Sequence, residues 1–178
     1  MHRQPFLTRQ RGVSLVEVMI AAAIAAVTVG TVLPDFSRMQ QRHRLDGVAG
    51  QLESEMQFAR SMAVADGKAV RFSFRAVAGQ SCYVIHTGGP GACQCDGETA
   101  VCTGPAASIR TAAFTDSEGM RVTSNSASFM FDPIKGTVSP TATVTLANAK
   151  GDVIRLVVNV MGRVRACSPS GLTGHKPC

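Results

Sequence analysis

Two arginines, Arg163 and Arg165, stand either side of Val164 near the C-terminal end of a 178-residue chain, directly after Gly162. In an extended segment, side chains two residues apart face the same side at roughly 6–7 Å. That is close to the spacing of phosphates along one nucleic-acid strand. Guanidinium forks suit phosphate oxygens. Lys176 lies in the tail beyond them, and Lys150, Arg155 and His175 add further positive or protonatable groups, while Asp152 is the only acid after residue 149. The chemistry on offer is contact with a polyanion. The tail holds no aromatic, so it lacks a platform for base stacking. Binding through such a set is phosphate-directed, salt-sensitive and indifferent to base sequence.

The second chemically informative residue is Glu17. It lies inside an apolar run over 13–33 that follows the basic residues Arg3, Arg9 and Arg11 and the pivot Gly12. The run matches the roughly 20 residues needed to cross a bilayer. A secretory signal peptide has a shorter apolar core, and a plain single-span anchor leaves Glu17 unexplained. A carboxylate inside a membrane helix is expensive unless it has a partner. Without the three leading arginines the net charge falls from +6 to +3. Placement, not total charge, therefore argues for a polyanionic partner, and the excess sits at the C-terminus.

Six cysteines, Cys82, Cys93, Cys95, Cys102, Cys167 and Cys178, all follow the apolar run. With the basic end of that run inside the cell, they lie where disulfides persist. Their spacing does not fit a zinc site. A Cys167–Cys178 bridge would close the tail into a loop. For the other four, a Cys93–Cys95 ring is too small to be favourable. The pairings Cys82–Cys93 with Cys95–Cys102, and Cys82–Cys95 with Cys93–Cys102, both remain open. His2, His43, His86 and His175 are scattered, and no nucleophile–base signature or phosphate-cradling glycine motif is present. The expectation is a chain that is not an enzyme and uses neither metal nor cofactor.

The elements that must position these residues follow from periodicity. Phe36, Met39, Leu45, Val48, Leu52, Met56, Ala59 and Met62/Ala63 recur at spacings compatible with one helical face. Arg38, Arg42 and Arg44 sit on its solvated side, and Gly67 ends the pattern as a C-cap. The period then switches to two. Over 69–75, Val70, Phe72 and Phe74 face a core while Arg71, Ser73 and Arg75 face out. Further strands are expected over 82–86, 108–114, 128–131, 142–146, 153–160 and 163–167, with 88–104 a Gly-, Pro- and Cys-rich loop. The predicted fold class is α+β, a long N-terminal helix packed on an antiparallel β-sheet head.

The basic leader ending in Gly12, with Glu17 at the fifth position after it and Pro34 further on, resembles the class III signal of type IV pilins and type II secretion pseudopilins. Phe129-Met130-Phe131-Asp132-Pro133-Ile134-Lys135-Gly136, then the strand from Val153 to Asn159, then Gly162-Arg163-Val164-Arg165, is similar to the GspH/FimT family of minor pilins and pseudopilins. The resemblance implies a leader over 1–12 that a prepilin peptidase removes, and N-methylation of Val13, which stands where the family usually has Phe. It implies a transmembrane half-helix over 13–33, loosened at Pro34, and an amphipathic half over 34–66. The head covers 67–166 with its cysteine loop at 82–102, and 167–178 is a flexible tail. Glu17 would pair with the N-terminal amine of a neighbouring pilin in a filament. In FimT-type members the G-R-x-R element is associated with DNA binding in natural transformation. The implied function is therefore a minor type IV pilin that binds DNA through Gly162, Arg163, Arg165 and Lys176, with Lys150, Arg155 and His175 as secondary contacts. It would reside in the inner membrane before assembly and then on the pilus at the cell surface. The alternatives are a structural minor pilin for pilus priming, or a GspH-type pseudopilin of type II secretion.

Overall fold

The computed structural model describes residues 12–178, without the side chains of 29–35. Most of the expected leader, with Arg3, Arg9 and Arg11, lies outside the described residues, as does the side chain of Pro34. The chain divides into two compact units, residues 1–39 and 40–178. Helix α1 is assigned over Leu15–Asp66. In the first unit it starts from Ser14, whose Oγ accepts the Glu17 N–H at 3.3 Å. Ser14 is thus the N-cap of α1 and Glu17 its third helical residue. The apolar side chains of this unit, from Val13 to Met39, are exposed wherever they are described. Among the described residues no helix is long and apolar enough to cross a membrane; the expected span includes residues 29–33, whose side chains are outside the description.

In the second unit α1 buries Leu45, Ala49, Leu52, Met56, Ala59 and Ala63. These recur every three or four residues and make one apolar stripe. Phe36 and Met39, expected on the same stripe, are exposed and belong to the first unit. The helix stops at Gly67, where φ is +62°. The Lys68 N–H then reaches back to the Ala63 carbonyl at 3.2 Å, as in a Schellman cap.

The stripe lies against two antiparallel sheets. One has the order β5-β2-β1-β7-β8, with β1 Val70–Val77, β2 Gln80–Thr87, β5 Ser108–Thr115, β7 Ser128–Phe131 and β8 Val138–Ser139. The other has the order β11-β10-β9-β6, with β6 Met120–Ser124, β9 Ala142–Asn148, β10 Val153–Val158 and β11 Val164–Cys167. Val70, Phe72, Tyr83, Phe129 and Phe131 from the first sheet share a core with Val144, Leu146, Ile154 and Leu156 from the second. Phe72 stacks on Phe129 with ring centroids 5.1 Å apart. Each large side chain buried here contributes roughly 1.5–3 kcal/mol.

Four sequence expectations are corrected. The cysteine loop contains a hairpin, β3 Cys93–Asp96 and β4 Thr99–Cys102, turned at Gly97 with φ +60°. Its cystines are Cys82–Cys95 and Cys93–Cys102, the second of the two open pairings. The hairpin packs Cys93 and Cys95 against Cys82 and Val84, on the side of β2 away from the helix. β2 is therefore buried on both faces, and Arg71, expected in water, is buried on β1. The strand expected over 153–160 ends at Val158, because Asn159 opens a turn. Finally, the tail is fastened rather than free. Cys167–Cys178 closes it, Ser168 Oγ donates to the Val153 carbonyl at 2.8 Å, and Leu172 joins the core.

Candidate nucleic-acid interface

The β10–β11 hairpin carries the basic residues. Its turn is built by Asn159: the Asn159 carbonyl accepts the Gly162 N–H at 2.9 Å and its Oδ1 accepts the Arg163 N–H at 2.9 Å. Gly162 takes φ +73°, the left-handed residue that lets a type I turn rejoin an antiparallel ladder. Gly162 is also buried. A Cβ there would lie 2.6 Å from the Gly136 carbonyl oxygen and 3.0 Å from Arg60 Nε. Arg60 Nε in turn donates to that same carbonyl at 2.9 Å. Gly162, expected as a DNA contact, is buried and shapes the turn.

Beyond the turn the alternation is strict. Ile154, Leu156, Val158 and Val164 point into the core, and Arg155, Val157, Arg163 and Arg165 point to solvent. The register sets Val157 opposite Arg165 and Arg155 opposite Cys167. Arg155 is therefore the diagonal neighbour of Arg165, at roughly 7–8 Å between backbones. Arg163, Arg165 and Arg155 form one row along the outer face of the second sheet. Thr145 and Thr143 of β9 sit opposite Arg155 and Val157.

None of these three arginines forms an ion pair among the described residues. Other arginines of the second unit do: Arg42 with Asp152, Arg44 with Glu118, Arg110 with Glu55 and Arg121 with Asp116. The remaining candidates are spread out. Lys150 lies in the β9–β10 turn, at the opposite end of β10 from Arg163, and a six-residue strand is roughly 20 Å long. Lys176 is exposed, and its backbone carbonyl accepts the Ser168 N–H at 2.9 Å, which places it beyond the Cys167 end of the row. His175 faces away from the row, with Nε2 2.9 Å from Asp46 Oδ1 on α1. The structure thus promotes Arg155 to the row and leaves His175 occupied elsewhere.

A second polar cluster, which sequence reasoning did not find, lies on the other sheet. His86 is fully buried directly opposite Arg71. Its Nδ1–H donates to the Thr87 carbonyl at 2.9 Å, which leaves Nε2 to accept the Ser73 hydroxyl at 2.9 Å. Arg71 donates from Nη1 to Ser128 Oγ at 3.1 Å. Burial holds the His86 pKa below its ordinary 6.5, and Arg71 adds to the depression. Between the depressed folded value and the unfolded value the unfolded chain binds more protons, so stability falls as pH drops through about 6.5 and levels off below the folded pKa. A His86→Gln variant should lose less of its melting temperature between pH 7.5 and pH 5 than the parent does. Equal losses in the two would show that His86 does not titrate on unfolding. Asp132 acts at lower pH, because the N–H groups of Lys135 and Ile134 hold its carboxyl below the usual 3.8.

A family model described as type II transport protein GspH matches residues 48–162. The chain belongs to the GspH family. The N-terminal region of this GspH-family protein also matches the prokaryotic N-terminal methylation motif over residues 7–33. It is similar in structure to the Pseudomonas aeruginosa (strain PAO1) type IV minor pilin FimU, with a TM-score of 0.50 at 19% identity over 76% of this chain and 96% of that one. A search of curated proteins finds no match. The fold is that of a type IV pilin, and the protein is a type IV minor pilin or a GspH-like pseudopilin. The GspH match ends at Gly162, so Arg163 and Arg165 lie just beyond it.

Proposed function

We propose that this GspH-family protein is a minor type IV pilin that holds extracellular DNA through Arg163, Arg165 and Arg155, for uptake in natural transformation. The observation that supports this reading is the row of solvent-facing arginines on one exposed sheet face, none in an ion pair among the described residues, at register positions whose ideal strand spacing of roughly 6–8 Å is close to that of backbone phosphates. Lys176, and more distantly Lys150, extend the positive field beyond the end of the row. The methylation motif supports processing after Gly12 by a prepilin peptidase, modification of the Val13 amine, and residence in the inner membrane before assembly with other pilins. Glu17 at the start of α1 then meets the amine of a neighbouring subunit, where each charge satisfies the other in a low dielectric.

The test is a salt titration of duplex DNA binding by the full chain in a nanodisc of zwitterionic lipid, beside Arg163→Ala/Arg165→Ala. The parent should bind with a log–log salt slope of roughly −2 to −3, and the variant should lose about 2 from that slope and most of its affinity. Both side chains are solvent-facing, so melting should change by less than about 0.5 kcal/mol. No binding by the folded parent at low salt would favour the structural or secretion pseudopilin reading, which the type II transport description of the family also suits.

A further inference from the structure

The row of arginines ends at two apolar loop tips. Ile134, in the turn after β7, is 84% exposed, and Met161, in the β10–β11 turn, is 62% exposed. The two loops touch each other. The Val138 N–H donates to the Val160 carbonyl at 2.9 Å, and the buried Gly162 abuts the Gly136 carbonyl. Val160 is exposed as well. Single exposed aliphatic side chains are ordinary. Here they stand on two loops that touch, and Met161 is separated from Arg163 by one residue.

The surrounding charge decides what kind of surface they suit. Lys135 and Arg163 flank the tips, both exposed. The one carboxylate of the Ile134 loop, Asp132, is turned onto its own backbone, where Oδ1 accepts the N–H groups of Ile134 at 2.9 Å and Lys135 at 2.8 Å. Asp132 keeps its charge there, but Lys135, Arg163 and Arg60, whose Nε donates to the Gly136 carbonyl at 2.9 Å, outnumber it, so the patch presents apolar atoms inside a net positive rim. A nucleic acid whose base faces are uncovered has the complementary make-up: a flat apolar face attached to a phosphate.

We propose that Ile134 and Met161 form a prong that contacts unpaired bases at the end of a DNA strand lying along the arginine row. This deepens the DNA-binding reading and rests on it. In a continuous duplex the base faces are stacked and out of reach. At a single-stranded overhang the terminal bases are free, and the phosphate held at Arg163 leads them to the tips. Aliphatic side chains serve this use, since Ile and Met act as wedges against bases in other settings. Lacking rings, they give local contact at an end rather than a track of stacked bases.

The experiment compares two fluorescent probes with equal numbers of phosphates, a blunt duplex and a duplex with a single-stranded overhang, on the full chain in a zwitterionic nanodisc. The parent should bind the overhang roughly fivefold to tenfold more tightly, the effect of burying a few apolar groups. Ile134→Ser/Met161→Ser should bring the two probes within twofold while keeping the blunt-duplex affinity and the melting temperature. Equal affinity of the parent for both probes would overturn the proposal, as would a variant that keeps the preference or weakens both probes alike. A variant that keeps the preference but no longer enters pili would also overturn it, and would mark the tips as a protein-docking surface. Absence of binding to either probe by the parent would remove the DNA-binding reading itself, and this inference with it.

Discussion

A Gly162→Ala chain should melt roughly 10 °C below the parent and bind DNA poorly although every arginine is still present. The reasoning starts from the backbone. A non-glycine residue in the left-handed region costs roughly 1–2 kcal/mol, and Gly162 has φ +73°. The added methyl would also lie 2.6 Å from the Gly136 carbonyl oxygen. A backbone atom cannot step aside as a flexible side chain can, so the turn and the Gly136 loop must part and the Arg60 hydrogen bond to that carbonyl is strained or lost. Overpacking of this kind costs roughly 1–3 kcal/mol. Together these give about 3–4 kcal/mol, at about 2–4 °C per kcal/mol for a chain of this size. Because the Arg163 N–H is fixed by Asn159 Oδ1, moving the turn moves the first arginine of the row. The pairing with Arg163→Ala/Arg165→Ala is diagnostic. One variant should lose stability and binding together, the other binding alone. An unchanged melting temperature in Gly162→Ala would refute the packing argument.

The second large effect should come from Glu55, the carboxylate that pins α1 to the first sheet. Its side chain is 6% exposed. Tyr83 donates its hydroxyl to Oε2 at 2.6 Å, Gln51 donates to Oε1 at 2.9 Å, and Arg110 pairs with Oε1 at 2.9 Å. Burial and the carboxylate beside it push the Tyr83 phenol well above its ordinary range. Removing one partner of a buried pair can cost roughly 3–5 kcal/mol when the other is stranded. Here Arg110 is 57% exposed and can rehydrate, so the main loss is the orphaned Tyr83 hydroxyl, roughly 1–3 kcal/mol, plus the hydrogen bonds themselves. Glu55→Ala should therefore destabilise by about 3 kcal/mol. Tyr83→Phe alone should cost about 1 kcal/mol, and the double variant should be more stable than the sum of the two predicts, because no hydroxyl is left unpaired. Strict additivity would mean that the phenol finds another partner.

The difference between Glu55 and the rest of α1 shows what periodicity can reveal. The stripe Leu45, Leu52, Met56, Ala59 was legible because burial repeats with the helix period. The same holds for Val70 and Phe72 on β1, where the period is two. Glu55 carries no such signal: its meaning depends on Tyr83 and Arg110, which lie on strands distant in sequence. Arg71 misleads for a related reason. Alternation correctly turned it away from the helix, but could not show that the disulfide-linked hairpin and β7 enclose that side. The hairpin itself was hidden because Cys, Gly and Gln carry weak strand preference, and only Asp96-Gly97 hinted at a turn. β6 is short, and it begins at Met120, directly after Gly119. In the candidate site, Arg163 and Arg165 were visible as an extended pair, whereas Arg155 joined them only through the register of β10 with β11. The fastening of the tail through Ser168 and Leu172 depends on tertiary contacts that composition does not report. For Glu17, Ser14 three residues before it was the available sign of an N-cap.

The orientation of the arginine row also has a mechanical side. Arg165 projects from β11 and Arg163 from the residue just before it; β11 runs antiparallel to β10 along the direction of the row. On the proposed DNA-binding reading, a load that entered through phosphates at these side chains and acted along the strands would pull β11 in shear. The rungs between Val158 and Val164 and between Arg155 and Cys167 then resist together, instead of parting one after another as they would under a pull across the sheet. Past Cys167 the bond to Cys178 is covalent, so the tail cannot pay out as slack. The hairpin is therefore directional in strength: firm against tension along the strands, and easier to peel open from the side.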